Sequence, residues 1–582
     1  MFKILLRSVR EYKRCSLLAP LFVALEVVIE CIIPFVTAKL INNINDGTYD
    51  MPSLLKYAAI LVALAAAALT CGVLSGHFCS VASCGFAKNL RHDMYVKIQS
   101  FSFSNIDKFS TSSLVTRLTT DINNIQMSYM MIIRTAVRSP LMLIFAFTMA
   151  VIVGGSVAFA FAVIIPFLAV GLLLIIKNSW GIFNSVFKKY DALNNSIQEN
   201  VSGMRVVKAF VRERHETEKF NRASDEVCAD FTKAEKILAL NSPLMQFAIH
   251  ALMIGICFLG SRLIIKTNQE ALAVGDLASL ITYGIQILMS LMILSMIIVM
   301  IAMSVASAKR IVEVLNEQPS ITAPADPVRE VADGSIEFLN VSFKYSENAE
   351  KNALQGINIS IRSGETVGII GGTGSSKSSL VQLIPRLYDV TEGSVKVGGV
   401  DVRDYDIETL RDNVAMVLQK NILFAGTIKE NIRWGDPNAT DEEIVRICKL
   451  AQAEEFIEKF PDKYDTYIEQ GGANVSGGQK QRLCIARALI KKPKILILDD
   501  STSAVDTKTD ALIRRAFAQE IPNTTKIIIA QRISSVSEAD KIIVMENGMI
   551  ESVGNHDYLI EHSPIYREVY ESQVKGGESD ED

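Results

Sequence analysis

The chain has 582 residues, a formal net charge of −4 and 49% hydrophobic residues, with a mean hydropathy of +0.27. This length allows several domains, the hydropathy is high for a soluble protein, and the lack of a basic excess argues against a nucleic-acid partner. The nine cysteines are scattered without a Cys-x-x-Cys pair, which argues against a zinc site or a disulfide framework.

The first half of the chain predicts an α-helical membrane domain. A helix needs roughly 20 apolar residues to cross about 30 Å of hydrocarbon. The first apolar run is too long for the core of a cleavable signal, so we expect it to remain as an anchor. The six predicted spans are Leu17–Thr37, Tyr57–Phe86, Thr135–Val153, Ser156–Ile176, Pro243–Ile265 and Leu277–Ala306.

The loops between these spans predict the orientation in the membrane. Lys and Arg concentrate before the first span, in the second and fourth loops and after the sixth span. Since positively charged loops stay on the cytoplasmic side, both termini are predicted to be cytoplasmic in a cytoplasmic membrane. The second and fourth loops keep helical periodicity, so we expect the helices to extend into the cytoplasm and to turn near Ser104–Thr111 and Arg212–Asn221. A cytoplasmic domain could be contacted at these turns.

Charged side chains inside membrane spans are costly and usually face a bundle interior or water. Glu26 and Glu30 lie four residues apart, as do Arg134 and Arg138, so each pair shares one helical face. Two interpretations stay open for the glutamates: they line a substrate cavity, or they form internal ion pairs.

The sixth span also carries a stripe of methionines. Methionine is adaptable and suits a promiscuous binding surface, but ordinary helix packing would show the same pattern. The stripe consists of Met289, Met292, Met296, Met300 and Met303.

The second half predicts an α/β domain. Residues 311–334 contain three prolines and are predicted to be a linker after a transmembrane domain of residues 1–310. From residue 335 to 575, short apolar strands alternate with helices, as in α/β folds. The acidic tail, residues 576–582, is predicted to be disordered. Tyr345, near the start of the domain, could stack on a nucleotide base or serve only in packing.

A glycine-rich turn between a predicted strand and a predicted helix indicates a phosphate site. Backbone N–H groups in such a turn and the helix N-terminus both favour an anion. Lys377 would reach the β- and γ-phosphates, and the Ser378 hydroxyl would ligate Mg²⁺. The candidate nucleotide-binding residues here are Gly372, Thr373, Gly374, Ser375, Ser376, Lys377, Ser378 and Ser379.

Two further motifs follow. The run Ile495–Asp499 has the pattern of a buried strand that ends in a carboxylate, and Asp499 is placed to hold Mg²⁺. The next residue, Asp500, stands where a catalytic carboxylate would polarise the attacking water. A turn that opens a helix makes a second anion-binding helix start; it consists of Ser476, Gly477, Gly478 and Gln479.

Together these motifs resemble an ABC half-transporter of the exporter type over essentially the full length of the chain. The matching segments, in family order, are Tyr345 (A-loop), residues 371–378 (Walker A), Gln419 (Q-loop), Val475–Gln479 (signature), Ile495–Asp499 (Walker B), Ser503–Asp506 (D-loop) and Ile527–Arg532 (switch region).

The resemblance implies an ABC-type nucleotide-binding domain with ATP and Mg²⁺ as cofactors. It places Ser378, Gln419 and Asp499 around the metal, and Gln419 among the catalytic groups. It also implies that two such domains sandwich two ATP molecules, each between Walker A of one chain and the signature of the other. A half-transporter therefore needs a second half.

Three departures from the family pattern fall on one ATP site. Ser376 replaces a P-loop glycine, Asp500 replaces the catalytic glutamate and Gln531 replaces the switch histidine. A carboxylate shortened by one methylene is misplaced by about 1 Å, which can cost about 100-fold in rate, and a glutamine cannot carry a positive charge.

The signature is intact and would serve the opposite site. We therefore expect this chain to be the degenerate-site subunit of a heterodimeric bacterial multidrug-type exporter, whose partner carries the glutamate and the histidine.

The leading functional hypothesis is ATP-driven export of amphipathic small molecules, drug-like or lipid, across the cytoplasmic membrane. The alternatives are a peptide exporter, an exporter-fold importer of metal chelates, and an ATP-gated regulatory or channel subunit. The predicted spans exclude the soluble ATPases built on the same nucleotide-binding fold.

Overall fold

The computed structural model describes residues 1–45, 47, 50–267, 269–346, 349–500 and 505–578. The chain divides into two compact units. The helical unit comprises Met1–Gln99 and Ser110–Glu317, and the α/β unit comprises Ser100–Phe109 and Gln318–Asp582.

The first 317 residues are almost entirely helical, because long apolar runs satisfy their backbone hydrogen bonds internally only as helices. The helices are α1 Phe2–Leu5, α2 Lys13–Asn45, α3 Met51–Gln99, α4 Phe103–Lys108, α5 Thr111–Thr116, α6 Ile122–Ile133, α7 Thr135–Gly154, α8 Phe159–Ser202, α9 Met204–Ala209, α10 Glu213–Leu238, α11 Asn241–Thr267 and α12 Val274–Asn316. Of these, α4 belongs to the α/β unit.

Five helical stretches of the described residues are long and apolar enough to cross a membrane: Phe2–Asn45, Met51–Gln99, Thr111–Ser179, Glu213–Thr267 and Val274–Ile298. The third stretch contains two of the six predicted spans, which are separated by a short 3₁₀ turn at Gly155–Ala158. The fold class predicted from the sequence is confirmed, and the helices α3, α8 and α12 extend far beyond a single membrane thickness.

The core of the helical unit lies between α2, α7, α8, α11 and α12. Small side chains such as Ala146 and Ala248 are fully buried, which lets neighbouring helix backbones approach closely. Tyr283 of α12 is also fully buried, and its hydroxyl donates to the carbonyl of Cys31 in α2 at 2.8 Å. The polar tip of the tyrosine is thereby satisfied inside an apolar core.

The last helix, α12, continues past residue 310, where the linker was predicted to begin. Contacts with a short π-helical turn, Arg117–Asp121, explain this extension of α12. Asp121 is buried and accepts hydrogen bonds from both Arg310 and Ser307, while Arg117 pairs with Glu313 at 2.9 Å. These contacts favour a helical backbone as far as Asn316.

The α/β unit contains a largely parallel six-stranded sheet, a four-stranded antiparallel sheet and a two-stranded ribbon. The strands are β1 Ile336–Phe343, β2 Leu354–Ile361, β3 Thr366–Gly371, β4 Glu392–Val397, β5 Val400–Asp401, β6 Val414–Val417, β7 Gly426–Thr427, β8 Tyr467–Ile468, β9 Ile495–Asp499, β10 Thr525–Ile529, β11 Lys541–Glu546 and β12 Met549–Gly554. The strand orders of the three sheets are β12-β11-β3-β10-β9-β6, β2-β1-β4-β5 and β7-β8.

Helices cover these sheets and form a second subdomain beside them. They are α13 Lys377–Gln382, α14 Ile407–Asn413, α15 Ile428–Arg433, α16 Asp441–Leu450, α17 Glu454–Ile457, α18 Gly477–Leu489, α19 Thr507–Glu520, α20 His556–His562 and α21 Pro564–Glu578. Helix α21 extends into the predicted acidic tail, whose residues 579–582 lie outside the described residues.

The order of the parallel strands positions the nucleotide motifs. β3 and β9 each pair with β10 in parallel, and β6 pairs in parallel with β9. The carboxyl ends of these four strands therefore lie side by side at one edge of the sheet, which is where open α/β sheets bind ligands. Read along that edge, the segments that follow the strands are the glycine-rich turn, Gln531, Asp500 and Gln419.

The segment Ser100–Phe109 packs within the α/β unit although it lies between helices of the other unit in the sequence. Asn105 donates to the carbonyl of Gln318 at 2.9 Å, and Tyr388 donates to Asp107 at 2.7 Å. Phe103 packs edge-on against the ring of Tyr388. The part of the turn predicted near Ser104–Thr111 that reaches Phe109 thus packs within the α/β unit.

Candidate functional site

The glycine-rich turn after β3 is built as an open cradle. A side chain at Gly371 would bring its Cβ to 2.2 Å from the carbonyl oxygen of Met545, so only glycine fits there. Ser376 has the left-handed backbone conformation, with φ 67° and ψ 26°, and it occupies the N-cap position of α13. This conformation favours glycine and costs a serine about 1–2 kcal/mol.

The side chain of Lys377 lies over this turn. Its ammonium group donates to the carbonyls of Gly371 and Gly372 at 2.9 and 2.8 Å and to the Ser375 hydroxyl at 3.3 Å. Burial lowers the pKa of Lys377, and the nearby Asp499 and Asp500 oppose that shift. A cation held over the loop in this way is suited to meet phosphate oxygens.

The candidate magnesium ligands meet where β9 ends. The Ser378 hydroxyl donates to Asp499 Oδ1 at 2.8 Å, and Asp499 is only 3% exposed. Burial raises the pKa of Asp499 despite this hydrogen bond. A hydroxyl and a carboxylate oxygen are hard ligands of the kind that Mg²⁺ takes beside substrate phosphates, so the residues fit this ion. When bound, Mg²⁺ would neutralise charge on the phosphates.

Asp500 follows directly and is held by two glutamines. Gln531 Nε2 donates to Asp500 Oδ2 at 2.7 Å, and the Gln419 side chain also hydrogen-bonds this carboxylate. Burial raises the pKa of Asp500, and the two glutamine hydrogen bonds act in the opposite direction because they stabilise the charged form. The backbone of Asp500 is left-handed, with φ 48°. The structure thus brings together three residues that are widely separated in the sequence.

Tyr345 lies near the start of the P-loop helix. About half of its surface is exposed, and its ring packs edge-on against Phe343 and Tyr388. Its hydroxyl lies 2.7 Å from the hydroxyl of Ser379, which is buried. An exposed aromatic face fixed in this way can stack on a base. Ser379, which was predicted to bind the nucleotide, has its hydroxyl engaged by the tyrosine.

Three of the remaining P-loop residues are accessible. Gly372, Thr373 and Gly374 are exposed, whereas Ser375 is buried. Together with residues of α21 they line a cavity of about 500 Å³.

The signature turn begins a separate helix, α18. Ser476 caps this helix, accepting from the Gln479 amide at 3.3 Å, while Gln479 Oε1 accepts from the Ser476 amide at 2.9 Å. This reciprocal capping box holds the helix N-terminus in place. Ser476 and Gly477 are exposed and Gly478 is half-buried. Of the predicted D-loop, Ser503 and Ala504 lie outside the described residues, and Asp506 caps α19 through the Thr509 amide.

Gln573 of α21 contacts the candidate site, and the sequence did not reveal this contact. Its Nε2 donates to the carbonyl of Gln531 at 2.8 Å, and its Oε1 accepts from the amide of Ile533 at 2.9 Å. The Gln573 side chain therefore hydrogen-bonds the switch segment on both sides of Arg532. No local pattern marks this glutamine, because its partners are about 40 residues away in the sequence.

Comparison with known proteins identifies the family. A profile described as "ABC transporter transmembrane region" matches residues 16–292, and one described as "ABC transporter" matches residues 354–503. The uncharacterized ABC transporter ATP-binding protein YfiB of Bacillus subtilis is 35% identical over 578 residues, 99% of each chain. An uncharacterized ABC transporter ATP-binding protein of Mycobacterium tuberculosis is 32% identical over 575 residues, 98% of each chain.

A solved structure gives the same fold. It is described as a bacterial Atm1-family ABC exporter with ATP bound, and it superposes with a TM-score of 0.84 at 23% identity, covering 96% of this chain and 99% of its own. The relatives match the chain over its whole length, and its helical and α/β units follow one another in the order of the two profiles. The chain belongs to the ABC transporter family and has a transmembrane and an ATP-binding domain with the exporter fold.

Proposed function

We propose that this chain is the hydrolysis-poor half of a heterodimeric exporter of amphipathic small molecules. In this proposal it lies in the cytoplasmic membrane with both termini in the cytoplasm. One observation carries it: the sheet edge gathers groups suited to hold MgATP, and the carboxylate beside them is Asp500, which hydrogen-bonds two glutamines. We therefore expect this site to retain MgATP binding and to hydrolyse ATP slowly.

The groups for binding are in place. The P-loop amides and Lys377 would face the phosphates, Ser378 and Asp499 would hold Mg²⁺, and Tyr345 would stack on the base. The side chains named here are not among the three departures from the family pattern, so we expect micromolar or tighter MgATP binding at this site.

The groups for hydrolysis are weakened. Asp500 is one methylene shorter than glutamate, so its carboxylate lies about 1 Å further from the water it would polarise. Gln531 binds this carboxylate through its amide and offers no positive charge for the γ-phosphate. A switch residue that contributes only a neutral donor stabilises developing charge less than a cation does.

Exposed features on both units support a second half. The signature turn at Ser476–Gly478 is accessible to another chain. Phe210 and Val211, at the far end of the second long loop, are 72% and 80% exposed, and Phe424 stacks on the exposed Trp434 at 3.9 Å. Apolar surface of this kind is typical of protein interfaces.

The substrate class rests on the helical unit. Met289 and Met296 of the methionine stripe are exposed, and adaptable apolar side chains suit substrates of varied shape. Export of amphipathic molecules uses such a surface.

The test is ATP hydrolysis by the purified chain, alone and together with the half-transporter that co-purifies with it. We expect slow turnover by the chain alone despite stoichiometric MgATP binding, and at least tenfold faster turnover by the pair. The double variant Asp500→Glu, Gln531→His should raise turnover by the chain alone. Rapid hydrolysis by the unaltered chain alone would contradict the proposal.

A further inference from the structure

The helical unit contains a charged cluster that the nucleotide chemistry does not use. Arg138 of α7 bridges two carboxylates of α2, donating through Nη1 to Glu26 Oε1 at 2.5 Å and through Nη2 to both oxygens of Glu30 at 2.8 and 2.7 Å. Of the two interpretations open for the glutamates, internal ion pairing is therefore present. One guanidinium faces two carboxylates, so these three groups have a formal net charge of −1.

The pairing is incomplete at one atom. Glu26 is only 8% exposed, and its Oε2 is buried without a hydrogen-bond partner among the described residues. A buried carboxylate oxygen without a donor costs free energy, and inside a membrane domain the cost is high. A second arrangement of the cluster in which this oxygen accepts a hydrogen bond would remove that cost.

The nearby guanidinium of Arg134 does not donate a hydrogen bond to Glu26 Oε2. Arg134 lies one helical turn before Arg138, and no carboxylate lies within 4 Å of it in the described part of the chain. Its guanidinium lies beside Gly76 of α3, whereas the Glu26 carboxylate lies beside Gly72. These glycines are one turn apart, so the arginine is displaced by about 6 Å along α3 from the position that would pair with Glu26.

The accessible edge of the cluster is Glu30. The side chains of Glu30 and Arg138 are 27% and 30% exposed, whereas that of Glu26 is 11% exposed. A cation that approaches from the accessible side therefore meets Glu30 first. If Arg138 then turns wholly onto Glu26, its guanidinium can bind both oxygens of that carboxylate, as in bidentate arginine pairs. Glu30 becomes free for the cation, and no oxygen of Glu26 remains unused.

We propose that Glu30 is a recognition site for the cationic group of an amphipathic substrate. Arg138 then pairs with Glu26 alone while the substrate is bound. The inference rests on the proposed function, because it assigns a charge preference to the proposed substrate class. In this site the excess carboxylate takes the positive charge of the substrate.

The test uses two hydrophobic ions of nearly equal size and opposite charge, tetraphenylphosphonium and tetraphenylborate. Their equilibrium binding is measured to the full-length chain in phosphatidylcholine nanodiscs, with empty discs subtracted. We expect the unaltered chain to bind the cation at least tenfold more tightly than the anion. Glu30→Gln and Glu26→Gln should each weaken cation binding by about tenfold, since each removes the excess negative charge, and neither should weaken anion binding.

Glu235→Gln, at an exposed position of α10, is the matched control and should leave both affinities unchanged. Unchanged cation affinity in both cluster variants would overturn the site, as would a parallel loss for both ions. Equal binding of the two ions by the unaltered chain would also overturn it, while leaving the amphipathic substrate class intact. Binding of neither ion would overturn both the site and that substrate class.

Discussion

At the scale of single residues, the proposed weakening of one ATP site involves Ser376 and Asp500, which act by different physical means. Ser376 retains a left-handed backbone at φ 67° that favours glycine, so the cost is local strain within an otherwise ordinary P-loop. Asp500 keeps the carboxylate but shortens its reach, and two glutamines hold it in place. Under the proposed function, the first change would act on the loop that faces phosphate and the second on the step that uses water.

Both substitutions were visible in the sequence, because each falls within a motif of fixed spacing. Their surroundings were not visible. The left-handed conformation of Ser376 and the double hydrogen bonding of Asp500 depend on strands that lie far apart in the chain.

We predict that the Asp499 carboxylate destabilises the nucleotide-free fold at pH 7 and that it is needed for Mg²⁺ binding. Burial raises its pKa above the usual 3.8, so its contribution to folding is favourable below that pH and is lost as the pH rises through the folded-state pKa. Asp499→Asn should therefore raise the unfolding temperature of the nucleotide-free protein at pH 7, with the difference shrinking towards pH 4. The same variant should lose its stabilisation by MgATP. Both effects are measured by thermal unfolding across pH.

The matched control is Asp441→Asn. Hydrogen bonds from Lys429 and Arg433 lower the pKa of this exposed carboxyl, so its charged form stabilises the fold at pH 7 and is lost as the pH falls. This variant should lower the unfolding temperature at pH 7. A lower unfolding temperature for Asp499→Asn under the same nucleotide-free conditions would be inconsistent with a costly buried carboxylate.

At the scale of secondary-structure elements, the site depends on four parallel strands and one C-terminal helix. The strands were predictable as apolar runs, and their shared edge follows from parallel pairing. The role of α21 was not predictable, since Gln573 clasps the switch segment through backbone groups that any sequence would offer. The charged pairs in the first spans were noticed in the sequence, but a helical repeat does not say which helices will face each other.

The clasp by Gln573 has a direct test. Gln573→Ala removes the acceptor of the Ile533 amide and the donor to the Gln531 carbonyl, so the switch segment should open more often. Hydrogen exchange of a peptide covering residues 530–536 should become at least tenfold faster. Ser572→Ala, one position earlier on the same helix, is the control and should leave exchange unchanged. Equal exchange in both variants would show that α21 does not hold this segment.

At the scale of the whole molecule, composition and motif order were sufficient to predict a helical membrane domain followed by an ABC nucleotide-binding domain. Two boundaries differed for physical reasons. Helix α12 extends past residue 310 because of its contacts with Asp121 and Arg117, and the segment Ser100–Phe109 joins the α/β unit through contacts of Asn105 and Asp107. Both depend on side chains more than 180 residues apart, which no local pattern reveals.

The division of labour between two chains is the central claim of the proposed function. Under this claim, the P-loop of this chain holds a nucleotide that is hydrolysed slowly, while its signature turn completes the active site of the partner. The two motifs of one polypeptide should therefore differ sharply in their importance for turnover.

The most direct measurement compares steady-state ATP hydrolysis by the assembled pair carrying either Lys377→Ala or Ser476→Arg in this chain. Lys377→Ala should leave most of the turnover, because it alters only the slow site. Ser476→Arg should lower turnover by at least 100-fold, because it places a bulky cation against the partner's nucleotide. Equal loss in the two variants, or a greater loss with Lys377→Ala, would contradict the account.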